Sequence, residues 1–459
     1  MLNHIIEGKS YTSGELFCGA GGLTRGFETR GFSPVFVNDI WPAALHTFLM
    51  NFDSSYRRSK GGIRDILAFP GSVEMIDESN VLGKTRNSQG RELQVGDLDV
   101  LLGGPPCQGY SVNSHIRSAS DPRNFLFRHY IRILRGISPK IFVLENVPGM
   151  LSLEGGVFFE ELLEHISSPS EGCPGYDIDF KILNAAHYGV PQDRFRIVVV
   201  GTRRDVSDKA GKVNLPKPVH YSLAQAHFKG GRQHTFHDAI GFKKRPVHVA
   251  TASPLWRSDF LAPVTVFEAI GDLPRLSNGG GENVSLYDEN IPPENSYQRL
   301  MRSSSKELYN HWCRKLAYPN TERVRHIPVG GDWRSLPREL LPSGMQRALR
   351  KDHTKRYGRF APNDLSGTIL TKPDPHWGTF IHYDEDQDRL ISVREAARLQ
   401  SFPDHHMFYG GQVDQYKLCG NAVPPLLAEA VANEVRSILD IYCSRSIGGK
   451  RKASIAARG

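Results

Sequence analysis

Cysteine is sparse in this chain, and the six residues present, Cys18, Cys107, Cys173, Cys313, Cys419 and Cys443, include no close-spaced pair. That excludes the ligand spacing of a zinc module and the dense cross-links of a small secreted scaffold, so reduced thiols inside a cell are expected. No metal site is expected. Nowhere do about 18 apolar residues run together, and MLNHIIEGKSYTSGELF at the start lacks the apolar segment of a secretory signal. A soluble, cytoplasmic protein with no membrane partner is the expectation.

What is abundant is length and unevenly placed charge. With 459 residues, 39% hydrophobic and 23% charged, the chain can bury a large core, and two lobes are expected. The formal net charge of +8 is not spread evenly. Residues 206–387 hold 26 Lys/Arg against 19 Asp/Glu, and the last sixteen residues add five positive charges and no acid. Basic charge gathered in this way suits a polyanionic partner, because each phosphate contact releases counterions, although a solvated basic face would look the same.

From residue 11 to about 203, short apolar runs alternate with helical stretches, the pattern of a mostly parallel sheet covered by helices on both faces, a doubly wound α/β fold. The predicted strands are ELFCG (15–19), PVFVND (34–39), DVLLGG (99–104), IFVLEN (141–146), DFKIL (179–183) and FRIVVVG (195–201). A polar stretch within 70–98 reads as a surface insertion. Between 206 and 387 Pro, Gly, His and Arg are frequent and helical periodicity is poor, which reads as a separate, loop-rich lobe. Helices resume at SVREAARLQSF (392–402) and after GNAVPP (420–425), so residues 1–205 and 388–443 are expected to form one discontinuous domain around an inserted one. The tail from 444 to 459 has too little apolar surface to fold and is expected to be disordered.

Five segments carry residues suited to chemistry. FCGAGGLTRGF follows the first strand and puts Gly19, Gly21 and Gly22 in a strand-to-helix turn where backbone can approach a nucleotide-like ligand; the spacing is not that of dinucleotide binders, and a purely structural turn stays open. Asp39, closing the second strand, suits ribose hydroxyls but could equally cap the helix that follows. GGPPCQGYS holds Cys107 in a loop stiffened by two glycines and two prolines at the carboxyl edge of the sheet, a place for a nucleophile, though a lone cysteine is usually a small buried hydrophobe. The next strand delivers Glu145 and Asn146 to the same edge, where partial desolvation favours a protonated carboxyl. Finally NAAHYGVPQDRFRIVVVG puts Gln192 before a strand and Arg194 and Arg196 two apart, hence on one side.

The ordered set FCGAGG, GGPPCQGYS, ENVPGM, QDRFR, REAARLQSFPD and GNAVPP resembles the DNA (cytosine-5) methyltransferase family of the bacterial restriction-modification type. The similarity covers about residues 12–203 and 388–440, and LSGTILTKPDPHWGTFIH resembles the family's approach to its REAARLQ helix. The resemblance implies a Rossmann-like fold binding S-adenosyl-L-methionine, with 206–387 as target recognition domain, and double-stranded DNA as partner. It implies Cys107 as nucleophile, Glu145 as the acid on the target base, and Arg194 and Arg196 as the pair that holds the base. For the cofactor it implies Phe17, Gly19, Ala20, Gly21, Gly22, Leu23, Asp39, Ile40, Asp65, Ile66, Gly104, Pro106, Leu126, Asn421 and Val423. Asp39 stands where the family commonly has Glu, and Asp65 lies in GGIRDI rather than a plain Gly-Asp-Ile.

The implied chemistry needs these residue types. Carbon 5 of cytosine is too weak a nucleophile to take a methyl from a sulfonium, so a thiolate must first add to carbon 6, and the base must leave the stack to be reached. The protein is expected to act as a monomer, with a cognate restriction endonuclease working on the same site. Other readings are methylation of a structured RNA, a catalytically silent DNA-binding paralogue, or a dinucleotide oxidoreductase; the last leaves the PPCQ loop and the basic lobe without a role. Residues 311–359, with 12 basic and 4 acidic side chains, are the expected source of phosphate contacts.

Overall fold

The computed structural model describes residues 10–58, 65–87, 89–106, 126–221, 260–347 and 356–456. Its centre is a seven-stranded sheet: β1 (Tyr11–Leu16), β2 (Phe32–Asp39), β3 (Leu67–Pro70), β4 (Val100–Gly103), β5 (Ile141–Asn146), β6 (Tyr176–Asn184) and β7 (Phe195–Arg203). The order across the sheet is β3-β2-β1-β4-β5-β7-β6. The pairs among β1 to β5 are parallel; β7 runs antiparallel to both β5 and β6.

Alternation along the strands sorts side chains into two layers. Val100, Leu102, Ile141, Val143, Val198 and Val200 face a core with Leu23, Phe27 and the final helix, Pro425–Ala456. Leu101, Phe142, Leu144, Ile197 and Val199 face the opposite core, under the helices Leu126–Ile137 and Val157–Ser167. Both faces are covered, which is why the strand sequences read as continuous apolar runs.

Four expectations need adjusting. β1 spans YTSGEL rather than 15–19, and Thr12 and Glu15 are paired internally: Thr12 N and Oγ1 donate to Asp99 at 2.8 and 3.1 Å, and Thr24 N donates to Glu15 at 3.2 Å. Segment 70–98 is more than a surface insertion, since Val73, Ile76, Val81, Leu93 and Leu98 are buried in the core beneath the helix Leu126–Ile137. Residues 206–215 stay with the sheet, with Val206, Val213 and Leu215 buried against it. The tail is not unstructured from 444, because the last helix continues to Ala456; extending a formed helix through Lys, Arg and Ala costs little.

The inserted segment, where described, consists of short helices and small strand pairs, β8 (Gly281–Ser285) with β9 (Leu308–Trp312) and β10 (Gly358–Arg359) with β11 (Thr379–Ile381). Its apolar core is shared: Val266, Trp333, Tyr357 and Phe380 belong to one cluster with Val393, Leu399, Phe402 and Tyr416. No helix among the described residues is long and apolar enough to cross a membrane.

Candidate active site

Parallel strands β1, β2, β4 and β5 end along one edge, and the turns there hold most of the sequence-predicted residues. After Leu16, Phe17 and Gly19 take left-handed backbone (φ 58° and 53°), and Gly21 does the same (φ 76°) before the helix Gly22–Glu28. The glycines differ in purpose. A Cβ on Gly19 would meet nothing within 4 Å, so this residue fronts open space. On Gly21 it would strike the Phe52 ring at 2.5 Å, and on Gly22 the Val423 carbonyl oxygen at 2.0 Å, so these two serve close packing.

Asp39 braces the turn. Its Oδ2 accepts from Gly19 N and its Oδ1 from Trp41 N, both at 2.8 Å. It joins the glycine turn to Trp41, the residue from which the next helix starts. Burial raises its pKa, opposed by those backbone N–H groups. Ile40 beside it is 70% exposed. Cys18, also at this edge, is buried 4.0 Å from Asp39 Oδ2, and burial, with the Asp39 and Glu15 charges, raises its thiol well above the ordinary value. It is therefore an inert thiol, not a rival nucleophile.

Glu145 and Asn146 close β5. In the antiparallel register Glu145 faces Val198, which puts Arg196, two residues earlier on β7, on the same face as a diagonal neighbour. Arg196 Nε lies 2.8 Å from Glu145 Oε1. Burial raises the Glu145 pKa against the pull of Arg196 and Arg194, and burial lowers the pKa of Arg196 despite Glu145. Desolvation thus outweighs mutual attraction for both partners. Asn146 Nδ2 donates to the Pro105 carbonyl at 2.8 Å, and the Cα of Gly104 faces Glu145, an added Cβ lying 3.5 Å from Oε2. The strand carrying the acid therefore clamps the backbone two residues ahead of position 107. Cys107 itself lies outside the described residues.

Arg194 shares the side of Arg196 but works differently. Its Nη2 donates to the carbonyls of Gly420 (3.0 Å) and Ala422 (2.9 Å), gripping the backbone on both sides of exposed Asn421. Its Nε and Nη1 are buried with no hydrogen-bond partner among the described residues. Gln192 is fully engaged, donating to Leu399 O and Gln400 Oε1 and accepting from Ile369 N.

With this geometry in place, comparison with known proteins is decisive. The family model for C-5 cytosine-specific DNA methylases matches residues 11–437. The chain belongs to that family. It is similar to the Type II methyltransferase M.AgeI of Thalassovita gelatinovora, 29% identical over 92% of this chain and 98% of the relative. It is also similar to the Type II methyltransferase M1.HphI of Haemophilus parahaemolyticus, 29% identical over 95% of this chain and 89% of the relative. A crystal structure described as a DNA modification methyltransferase encoded within a prophage (E. coli) matches with TM-score 0.61 and 20% identity, covering 94% of this chain and all of that one, a likeness of fold.

Within this methylase fold, the expected cofactor residues divide by exposure. Phe17, Gly19, Asp39, Ile40, Gly104, Pro106, Leu126 and Asn421 are accessible, whereas Ala20, Gly21, Gly22, Leu23, Ile66 and Val423 are buried and shape the edge from behind. Asp65 and Ile66 are not brought to the edge. They precede β3, which runs parallel to β2 and pairs Leu67 with Phe36 and Pro70 with Asp39, so they stand back from the edge, level with the middle of β2. Asp65 accepts from Ser54 Oγ, and Ile66 packs with Cys18, Val37 and Phe48. The β3 residues that do reach the edge are Pro70 and Gly71, the latter donating to Asp39 O; a four-residue strand in a polar context offered no signal for this.

The REAARLQSFPD motif of the methylase is structural. Arg389 makes two 2.7 Å bonds to Glu395, and Arg398 pairs with Asp404 (2.7 and 2.6 Å) and with Asp272 of the inserted segment (2.7 Å). Here the Arg389 and Arg398 pKa values are raised and those of Glu395 and Asp404 lowered, because attraction outweighs burial. For Glu145 and Arg196, by contrast, burial outweighs attraction.

Proposed function

We propose that this chain transfers a methyl group from S-adenosyl-L-methionine to carbon 5 of a cytosine swung out of a specific duplex DNA sequence, through a transient bond between Cys107 and carbon 6. The observation that carries the reading is the under-compensated Glu145–Arg196 pair beside the backbone that leads into Cys107. Family membership and the Type II relatives support it.

The residues present fit the cofactor: an open face at Gly19, the Asp39 carboxylate, and exposed Ile40 stand together at the carboxyl edge of the sheet. The bound cofactor supplies an electrophilic methyl and leaves as S-adenosyl-L-homocysteine. The chain does the rest. Cys107 adds its sulfur to carbon 6; Glu145 holds a proton at ring nitrogen 3, accepting the charge that develops and making carbon 5 nucleophilic. After methylation the carbon-5 proton goes to a base and the carbon–sulfur bond breaks, returning the cysteine. Arg196 holds the Glu145 carboxyl in place, and Arg194 fixes the turn carrying Asn421. We extend the reading to the modification half of a restriction-modification system, with a cognate endonuclease reading the same site.

The test is labelled-cofactor transfer to plasmid DNA and, separately, to total tRNA, with wild type and Cys107→Ala. Transfer to DNA by the wild type, its loss in the variant with duplex binding kept, and a covalent complex on 5-fluorocytosine DNA are expected. Unchanged turnover in the variant would refute the nucleophile; transfer to tRNA alone would refute the substrate.

A further inference from the structure

A cation stands unassigned at the cofactor edge. Lys417 lies exposed on the helix Gln412–Asn421, and its Nζ sits over the Trp41 ring, 4.4 Å from the centroid. It makes no ion pair among the described residues. Val413, Lys417 and Asn421 are spaced four apart and all exposed, so they share the outer face of this helix, with the cation one turn from the asparagine expected at the cofactor. The inner face is fixed. Gln415 Oε1 accepts from Trp312 Nε1 at 2.7 Å, and Tyr416 Oη donates to Ile391 O at 2.5 Å. Lys417 therefore reaches from an anchored helix to a residue that lies more than 370 positions earlier in the chain.

Trp41 carries the contact on to Asp39. Its N–H donates to Asp39 Oδ1 at 2.8 Å, and its carbonyl accepts from Ala44 N (3.0 Å) and Leu45 N (3.2 Å), which starts the helix Pro42–Phe52. Its half-buried ring packs on the cluster that also holds Tyr416, Cys419 and Ala422. The indole is thus held by the core while its face meets the ammonium, the arrangement in which a ring quadrupole attracts a cation. The charge also bears on Asp39. Burial disfavours the ionised carboxylate, and Cys18 and Glu15 are the acidic groups beside it; the N–H groups of Trp41, Gly19 and Ile40 and the charge of Lys417 favour it.

We propose that Lys417 is a positioning residue for the cofactor: seated on Trp41, it ties the Asn421 turn to the Asp39 turn and places a positive charge beside the carboxylate that would receive the ribose hydroxyls. This rests on the cofactor reading above. A methionine at 417 would keep the apolar stem without the charge, and an arginine would keep both, which makes the two substitutions a matched pair.

The experiment is calorimetric binding of S-adenosyl-L-homocysteine to the full chain across pH. Lys417 is exposed, so its variants keep the fold. Near neutral pH, Lys417→Met and Trp41→Leu should each raise the dissociation constant about fivefold, and Lys417→Arg should recover most of that loss. The double variant should bind no worse than Trp41→Leu alone, because both changes remove one contact, whereas independent effects would multiply to about 25-fold. Lys417→Met should also move the acid-side loss of binding to higher pH, since Asp39 protonates sooner without the cation. Tryptophan emission should change on Lys417→Met, but not when Trp41 is already Leu. Wild-type affinity in Lys417→Met, a multiplicative loss in the double variant, or a loss equal at every pH would overturn the proposal alone. Failure of the wild-type protein to bind the compound at all would overturn the cofactor reading and this proposal with it.

Discussion

Replacing Glu145 by Gln keeps the shape of the side chain and removes its proton chemistry, and the structure says how the losses should divide. In the wild type, burial pushes the Glu145 carboxyl up and the Arg196 guanidinium down although they are 2.8 Å apart. Breaking a well-satisfied buried pair costs about 3–5 kcal/mol, but here burial already works against the charge of Glu145, whose Oε1 accepts no hydrogen bond among the described residues, and Gln fills the same space beside Arg196. The stability cost should therefore be smaller, roughly 1–2 kcal/mol, in line with weakening one charged contact. The catalytic cost should be larger, about 10²- to 10⁴-fold, the worth of a placed acid. Single-turnover methyl transfer across pH, with thermal unfolding on the same samples, separates the two. Because the folded pKa of Glu145 is raised, its protonated form persists above the ordinary carboxyl range; the wild-type rate should fall as pH rises through that value, and the Gln variant should be slow at every pH and lack that limb. The stability linked to this group has the same sign: it is present at low pH and is lost as pH rises through the folded value. A Gln variant within tenfold of the wild-type rate, or one retaining the same pH limb, would show that Glu145 is not the acid.

Two further substitutions probe the edge that holds the cofactor. Gly22→Ala sets a Cβ 2.0 Å from the Val423 carbonyl oxygen, where only backbone can yield, and should cost about 2–3 kcal/mol and weaken cofactor binding as the turn shifts; Gly19→Ala meets open space and bears only about 1–2 kcal/mol of left-handed strain, yet should weaken cofactor binding at least tenfold, so equal stability losses in the two, by denaturant titration, would count against the distinction. Glu15, buried in β1 and bonded by Thr24, has its carboxyl pushed up to about 8, so its contribution is full below the unfolded carboxyl range near pH 4.5 and lost as pH rises to 8; Glu15→Gln should remove that slope and be the more stable protein above pH 8, by up to about 5 kcal/mol, and an unaltered stability-versus-pH curve would refute the assignment.

The sheet was legible because the middle of a strand buried on both faces must be apolar, and VLL of β4, IFVL of β5 and IVVV of β7 are. β1 was read four residues late since Thr12 and Glu15 look like surface until their partners Asp99 and Thr24, remote or on the next helix, are known. β3 was invisible for a related reason, being four residues long and flanked by a polar stretch. In the site, Glu145 and Arg196 were legible as neighbours from strand ends and alternation alone. The task of Arg194 was not, because Gly420 and Ala422 lie more than 220 residues further along the chain. Nor did the REAARLQSFPD helix announce that its arginines bind Asp272 in the inserted segment. Asp65 shows what a motif match leaves out: it lies two residues before β3, whose first residue pairs with Phe36, so the register sets it back from the edge.

The two ends of the sheet domain are locked directly to each other. Gly22 and Gly26, one helical turn apart, let the first helix lie directly on the last; a Cβ on Gly26 would stand 2.5 Å from the Pro425 carbonyl oxygen. Arg30 pairs with Glu429 at 2.6 Å, and Tyr11 Oη donates to Asp440 at 2.6 Å, tying β1 and its helix to the final one. The Val423 carbonyl is pressed onto the glycine turn by that contact, while Arg194 from β7 holds Gly420 and Ala422 from the other side. The cofactor edge is thus assembled from both ends of the chain, and the Asn421 turn takes its position only when the final helix is docked. The inserted segment touches this arrangement at Gln192, Asp193 and Gly420, beside the Arg194 grip. DNA bound against the inserted segment would therefore act on the same backbone that positions the edge, so DNA binding and cofactor binding should be energetically linked, each changing the affinity for the other by the same factor.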